Sequence, residues 1–177
     1  MRNLKLPALY RGHTLLTIEE DFDEAREIRR DSGRIISAAS AIDQVIAEII
    51  ANTIFREVRE HRELVLGSIL SSDWCSFAAK RKLLKLAIET FSLIEGKKKN
   101  QLDKNLLNVM HYRNAFAHGT LGHNFNTLIQ ELHYFESKPQ TATLNDVYFE
   151  KLQKVFLDAW ETLQEIQMTI ERNELKE

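Results

Sequence analysis

Three residues in the second half of the chain have side chains suited to work on a phosphodiester: Arg113, Asn114 and His118. Histidine titrates near neutral pH, so His118 is suited to take a proton from a hydroxyl group. Arginine presents a planar fork of donors that matches phosphate oxygens, so Arg113 is suited to stabilise the charge of a phosphorane. Asn114 could orient the phosphate or the imidazole. These are the groups that RNA cleavage without a metal requires, a base for the 2′-hydroxyl proton and a cation for the phosphate.

The position of Arg113 along its helix departs from the apolar pattern. Projecting Leu102 to His118 at about 100° per residue puts Arg113 near the centre of one arc. The apolar members of that arc are Leu102, Leu106, Val109, Phe116 and Ala117. A guanidinium facing the core is costly unless it is paired, and departures of this kind tend to mark functional sites.

Helix geometry separates the two candidate groups. His118 points about 140° away from Arg113 when both are helical. Gly119 predicts a helix end, where the last residue is free to turn aside. A two-fold dimer would also bring a second Arg–His pair alongside the first. The two groups are therefore expected to meet through the helix end or through a second subunit.

Structural alternatives stand beside the catalytic interpretation. Arg113 would form a buried ion pair if an acid inside the bundle faced it, and Asp43, at the edge of the apolar face of its helix, is the candidate. His118 would simply cap the helix, since a cationic imidazole is favourable at a helix C-terminus. Asn114 would then be an ordinary surface residue.

Apolar residues at three- and four-residue spacing predict the helices that position these groups. The main helices are expected at about Ile35–Thr53, Trp74–Ile94, Leu102–His118 and Asp146–Arg172. Ser71-Ser72-Asp73 and Asn145 are the expected N-caps of the second and fourth. The apolar side of the second is expected to hold Phe77, Leu83, Leu84, Ala87, Ile88 and Phe91, and that of the fourth to begin at Val147. An acidic helical stretch, about Ile18–Arg30, precedes Gly33, which marks either a break or a dip in helicity.

The segment after Gly119 has a different character. Phe125–Phe135 is rich in β-branched and aromatic residues, and turn-like sequence separates it from Thr141–Leu144. We predict a small β-hairpin or extended insertion over residues 120–144. The whole chain, 1–177, is predicted to be one all-α domain, a bundle of four main helices with this insertion and an N-terminal arm at 1–16.

The segment Tyr112-Arg113-Asn114-Ala115-Phe116-Ala117-His118-Gly119 resembles the signature of the HEPN superfamily. That signature is Arg, four to six residues, then His, often with a polar residue after the Arg. The resemblance implies an all-α bundle that commonly dimerises and, in many members, a metal-independent endoribonuclease of toxin–antitoxin, antiviral or RNA-processing systems. By this resemblance, Arg113, Asn114 and His118 occupy the positions of the family's site residues. One subgroup of HEPN toxins has Tyr two positions after the His, where this chain has Thr120, so a tyrosine-modified toxin is not expected.

Other features add a binding hypothesis and argue against metal chemistry. Lys97, Lys98 and Lys99 precede the motif-bearing helix and are expected to be a solvated loop or a contact to RNA phosphates. His111, His118 and His123 lack a carboxylate at ligand spacing, so no metal site and no cofactor is predicted. The single cysteine, Cys75, excludes an internal disulfide and is expected to be a small packing residue.

Composition limits the class of protein. The chain has 177 residues, 44% of them hydrophobic, and a net charge of −2, so no global basic field marks a nucleic-acid binder. No signal peptide is evident, no segment approaches a membrane span, and a cytoplasmic location is expected. The leading hypothesis is a homodimeric HEPN-type endoribonuclease with an RNA substrate and an antitoxin or other protein partner. The alternative is a non-catalytic HEPN-fold regulatory or protein-interaction module.

Overall fold

The computed structural model describes residues 23–55, 58–72, 75–123 and 130–174. These residues form mostly helix with a small three-stranded sheet, which confirms the helical class. The helices are α1 (Asp23–Ile54), α2 (Arg59–Val65), α3 (Phe77–Phe91), α4 (Gly96–His118) and α5 (Asp146–Glu174), with a π-helical turn at Leu66–Leu70. The strands are β1 (Thr120–His123), β2 (Gln130–Phe135) and β3 (Pro139–Thr143). The arm at 1–16 and the first residues of the acidic stretch, 18–22, lie outside the described residues, whereas 23–30 is helical as predicted and forms the start of α1.

Helix α1 forms the centre of the core. It packs against α3, α4 and α5, and its buried positions run from Ile28 to Thr53. Gly33 does not interrupt it, because the position is exposed and faces open space. Of the two interpretations of Gly33, the break is therefore wrong.

The apolar length of α1 requires a correction to the expectation about membrane spans. Between Glu27 and Ile54 this helix is long and apolar enough to cross a membrane, by length and composition alone. In the fold, 61% of that apolar window is buried. A central core helix passes the same test as a membrane span, and α1 is packed as a core helix.

Helix α3 begins later than the sequence indicated. Its N-cap is Ser76, whose hydroxyl accepts a hydrogen bond from the Ala79 amide at 3.3 Å. Ser71 instead closes the π-helical turn, where its amide donates to the Leu66 carbonyl at 2.9 Å. The buried apolar residues of α3 are Leu84, Ala87 and Ile88. Leu83 and Phe91 are exposed, contrary to expectation, because α1 and α4 cover only part of the helix surface.

Helix α4 runs antiparallel to α3 and α5. Lys99 pairs with Glu89 at 3.2 Å, and Arg81 pairs with Asp103 at 3.1 Å further along both helices. The helix begins at Gly96, whose φ of 62° lies in the left-handed region that glycine tolerates. The three lysines thus form its first turn, so the prediction of a loop there is wrong.

The insertion is a three-stranded antiparallel sheet in the order β1-β2-β3. The β2–β3 hairpin confirms the prediction, whereas β1 was not predicted, because Thr120–His123 is short and carries no alternating pattern. Leu132 of β2 is buried against α4. Asn145 caps α5 as expected, accepting from the Tyr148 amide at 2.9 Å. Val147 is 71% exposed rather than part of the apolar face.

Candidate functional site

Arg113, Asn114 and His118 lie in the last two turns of α4, and all three are exposed. The Arg113 guanidinium donates from Nη1 to the Asn114 Oδ1 at 3.1 Å. The prediction that Arg113 lies within a core-facing stripe is therefore wrong. The guanidinium is open to solvent on the surface of the helix.

Arg113 is exposed because the buried face of α4 rotates along the helix. Its first turns bury Leu102, Leu106 and Val109. The last turns instead bury Ala115 and Phe116, against the start of α5 and strand β2. At about 100° per residue, this change of partner turns the buried arc by roughly 80° and leaves Arg113 outside it. The projection from sequence assumed one constant packing direction.

Asp43 does not pair with Arg113. Its Oδ2 accepts from the Lys80 ammonium at 2.6 Å, and only 6% of the Lys80 side chain is exposed. Among the residues that the structure describes, the buried cation is thus on α3 rather than α4. Lys80 stands at a position of α3 one turn before buried Leu84, a signal that the sequence analysis did not use.

His118 keeps helical geometry. It is the last residue of α4, and the Gly119 amide donates to the Ala115 carbonyl at 2.8 Å. The expectation that the helix end frees His118 to turn aside is therefore wrong. His118 lies in the last turn of α4, which is the position that the helix-capping alternative requires.

Asn114 connects the other two groups. It precedes His118 by one helical turn, so their side chains are only about 40° apart around α4. The hydrogen bond to Asn114 draws the Arg113 guanidinium toward this same side. Within one chain, Asn114 therefore reduces the separation that helix geometry imposes on Arg113 and His118.

Gly119 permits the close approach of β2 to the end of α4. A Cβ at this position would lie 2.3 Å from the Ala115 carbonyl oxygen and 3.0 Å from the His133 carbonyl oxygen. Both atoms belong to the backbone and cannot move without displacing the helix end or the strand. The glycine thus fixes where the sheet stands relative to His118.

Replacing Gly119 with alanine should destabilise the protein. Overpacking of this kind costs about 1–3 kcal/mol, which corresponds to a melting temperature lower by roughly 2–12 °C for a chain of this size. The matched control is Gly33→Ala, at an exposed helical position with nothing within 4 Å. That change should raise the melting temperature by about 1–4 °C. Thermal denaturation followed by circular dichroism measures both, and equal shifts in the two variants would refute the close-contact explanation.

Two further histidines lie near the motif and were not assigned a role from sequence. His111 precedes His118 by two turns on the same side of α4, and its Nδ1 contacts a Glu136 carboxylate oxygen. His133 on β2 has Nδ1 within 3.1 Å of the Thr141 hydroxyl and is paired in register with Thr120. The seven-residue spacing between His111 and His118 could have placed both on one side of the helix from sequence alone. The position of His133 near the motif depends on the pairing of β2 with β1. Across the described ranges, no three His, Cys, Asp or Glu side chains group as metal ligands.

Comparison with known proteins adds no relative. No family model, no curated protein and no solved structure matches the chain. Membership of the HEPN superfamily accordingly stays a prediction from the motif and its helical setting.

The three lysines lie at the opposite end of α4 from the motif. Lys98 pairs with Glu165 at 2.7 Å, and Lys99 with Glu89 at 3.2 Å. Sixteen residues of helix separate Lys98 from Asn114, which is about 24 Å along the axis. The lysines belong to the same helix as the motif, but the structure does not bring them to Arg113, Asn114 and His118.

An aromatic cluster supports the motif from within. Tyr112, next to Arg113 in the chain, packs edge-on against Tyr148 with ring centroids 5.8 Å apart. Phe116 packs against Tyr148 and Phe149. Burial, with a smaller contribution from neighbouring tyrosines, raises the pKa of both Tyr112 and Tyr148 above 10. The cluster therefore favours the neutral phenols and ties the last turns of α4 to α5.

This cluster should make the fold sensitive to alkali. Because the pKa of each tyrosine is higher in the folded state, the unfolded state loses its phenol protons first. The stabilising contribution is therefore complete below about pH 10 and is lost as the pH rises through the folded pKa. The double variant Tyr112→Phe/Tyr148→Phe removes both ionisations. Urea denaturation between pH 7 and about pH 11 should show a smaller loss of unfolding free energy in the variant than in the wild type. Parallel pH profiles would contradict this account of the cluster.

Proposed function

We propose that this protein is a metal-independent endoribonuclease of HEPN type that acts at Arg113, Asn114 and His118. The observation that carries the proposal is the exposed Arg113 guanidinium, held by Asn114 on the side of the helix that bears His118. The alternative of a buried ion pair between Arg113 and Asp43 is wrong, because Asp43 pairs with Lys80.

The proposed reaction is an internal transesterification of RNA. His118 removes the proton from a 2′-hydroxyl, whose oxygen attacks the adjacent phosphorus as the bond to the 5′-oxygen breaks. The Arg113 guanidinium binds the non-bridging oxygens and stabilises the added negative charge. Asn114 positions that guanidinium. The products are a 2′,3′-cyclic phosphate and a 5′-hydroxyl once the leaving oxygen has taken up a proton.

We further propose that the active form is a homodimer. In one chain the Cα atoms of Arg113 and His118 are roughly 8–9 Å apart, and the two side chains leave the helix about 140° apart around its axis. A two-fold axis beside the end of α4 would place a second His118 near the first Arg113. The imidazole of one subunit would then act as base beside the guanidinium of the other.

The direct test is cleavage of single-stranded RNA by the purified full chain in EDTA. The proposal expects fragments that end in 2′,3′-cyclic phosphate and 5′-hydroxyl groups, which mass spectrometry distinguishes from 3′-hydroxyl products. RNA left intact by the pure protein, or activity that EDTA abolishes, would overturn it. In the first case the motif would belong to a protein-interaction module.

A further inference from the structure

The face of the sheet that points away from α4 carries an exposed pair of rings. Alternate residues of a strand point to opposite faces, and Leu132 faces α4, so His133 and Phe135 share the opposite, outer face. Phe135 is 73% exposed, more than any other large apolar side chain among the described residues. The Cα atoms of His133 and Phe135 are about 6.5–7 Å apart along the central strand. We call His133, Phe135 and Thr141 the outer sheet face.

His133 is held in position before any ligand binds. Its Nδ1 lies 3.1 Å from the Thr141 hydroxyl of β3. On the other side, a Cβ at Gly122 of β1 would lie only 2.7 Å from the His133 Nε2. The ring therefore occupies space that a side chain on β1 would fill, and it lies flat against the sheet between the neighbouring strands.

The hairpin that carries this face also holds an exposed lysine. The two acids nearest to the rings are each faced by a histidine, Glu131 by His133 at 3.6 Å and Glu136 by His111. Lys138, in the turn between β2 and β3, is exposed and has no ion pair to another described residue. The hairpin thus presents one exposed lysine, which can contact a phosphate, together with two rings and a hydroxyl.

The outer sheet face also lies beside the proposed reaction site. Thr120, two residues after His118, is the register partner of His133. Paired Cα atoms in an antiparallel sheet are about 4.5–5.5 Å apart, and two further residues add at most about 7 Å. The Cα atoms of His118 and His133 are therefore within about 12 Å of each other.

We propose that the outer sheet face binds unpaired bases of single-stranded RNA next to the phosphate that is cleaved. Phe135 and His133 stack on successive bases, and Lys138 contacts the backbone between or beside them. Rings on the exposed face of a central strand, with nearby hydroxyls and a cation, are the chemistry by which proteins bind unpaired bases. The inference rests on the proposed function, because that function supplies both the RNA and the adjacent phosphate.

The experiment measures RNA binding separately from cleavage. Fluorescence anisotropy with a labelled mixed-sequence single-stranded RNA is carried out in the His118→Ala background, which blocks the proposed reaction. Removing one stacking ring with Phe135→Ala should raise the Kd about 5- to 150-fold. Phe135→Trp should retain binding and show quenched tryptophan emission on RNA addition. Leu86→Ala is the matched control, since Leu86 is 58% exposed on α3, and it should change the Kd less than about twofold.

Each outcome supports or overturns the inference. A Kd unchanged by Phe135→Ala, with no quenching in Phe135→Trp, overturns it. If sedimentation shows that Phe135→Ala breaks a dimer while RNA affinity is unchanged, a second copy of the chain covers the face and the inference is again overturned. If the wild type cleaves no RNA but Phe135→Ala weakens binding, the base site stands and the nuclease proposal fails. If the wild type cleaves RNA and Phe135→Ala changes nothing, only the base site fails.

Discussion

Asp43→Ala should lower the melting temperature by roughly 6–20 °C. The substitution leaves the ammonium of Lys80, 6% exposed, without the carboxylate that lies 2.6 Å away. Breaking a buried pair on one side costs about 3–5 kcal/mol, and each kcal/mol corresponds to about 2–4 °C at this size. Thermal denaturation by circular dichroism or calorimetry gives the shift.

Three controls identify the buried charge as the cause. The double variant Asp43→Ala/Lys80→Met replaces the pair by apolar groups and should recover most of the loss. Glu165→Ala breaks the exposed pair with Lys98 and should cost about 0–1 kcal/mol. Arg113→Ala, at an exposed position, should change stability by less than about 0.5 kcal/mol. A large loss in Arg113→Ala would show that this arginine is structural after all.

Arg113→Ala and His118→Ala should each reduce the rate of RNA cleavage by about 10²–10⁴-fold. A positioned general base typically contributes about 10²–10⁴-fold, and loss of one donor to the developing negative charge costs about 10²–10³-fold. Asn114→Ala should have a smaller effect, since Asn114 acts by holding the Arg113 guanidinium. Initial rates with a labelled RNA in EDTA measure all three variants.

Mixing the two inactive variants tests whether the site is shared between subunits. In a dimer with a composite cleft, Arg113→Ala and His118→Ala chains that exchange would restore one intact arginine–histidine set across the interface. We expect activity to reappear in the mixture at a fraction of the wild-type rate. No recovery despite demonstrated subunit exchange would confine the reaction to one chain.

The sequence was sufficient to predict α1, α3, α4 and α5 and the position of the motif, whereas α2 was not predicted. Strong apolar periodicity predicted the cores of α1, α3 and α5, and Asn145 was correctly expected to cap α5. The β2–β3 hairpin followed from aromatic and β-branched residues around a turn. These features depend on local pattern, which a sequence displays directly.

Features that depend on distant parts of the chain were not predictable in the same way. The exposure of Arg113 results from the rotation of the buried face of α4, which is set by where α5 and β2 pack. The partner of Asp43 is a lysine 37 positions away, on another helix. Strand β1 has no pattern of its own and exists because β2 offers it hydrogen bonds. Each of these outcomes is decided by tertiary packing rather than by local propensity.

The cap of α3 shows a subtler failure. Ser71, Ser72 and Ser76 all have side chains that can cap a helix. The Ser71 amide and the Ser72 hydroxyl instead donate to carbonyls of the π-helical turn. Helix α3 therefore begins only after Ser76, which supplies its N-cap. Choosing among equivalent caps requires knowing where the preceding element ends.

The most direct test of the central claim is the single-turnover rate of RNA cleavage in EDTA by the wild type and His118→Ala, measured on preparations with matched melting temperatures. The account predicts measurable cleavage by the wild type and a rate at least about 100-fold lower in the variant. Equal rates in the two proteins would contradict the assignment of His118 as the proton-transfer group and, with it, the nuclease proposal.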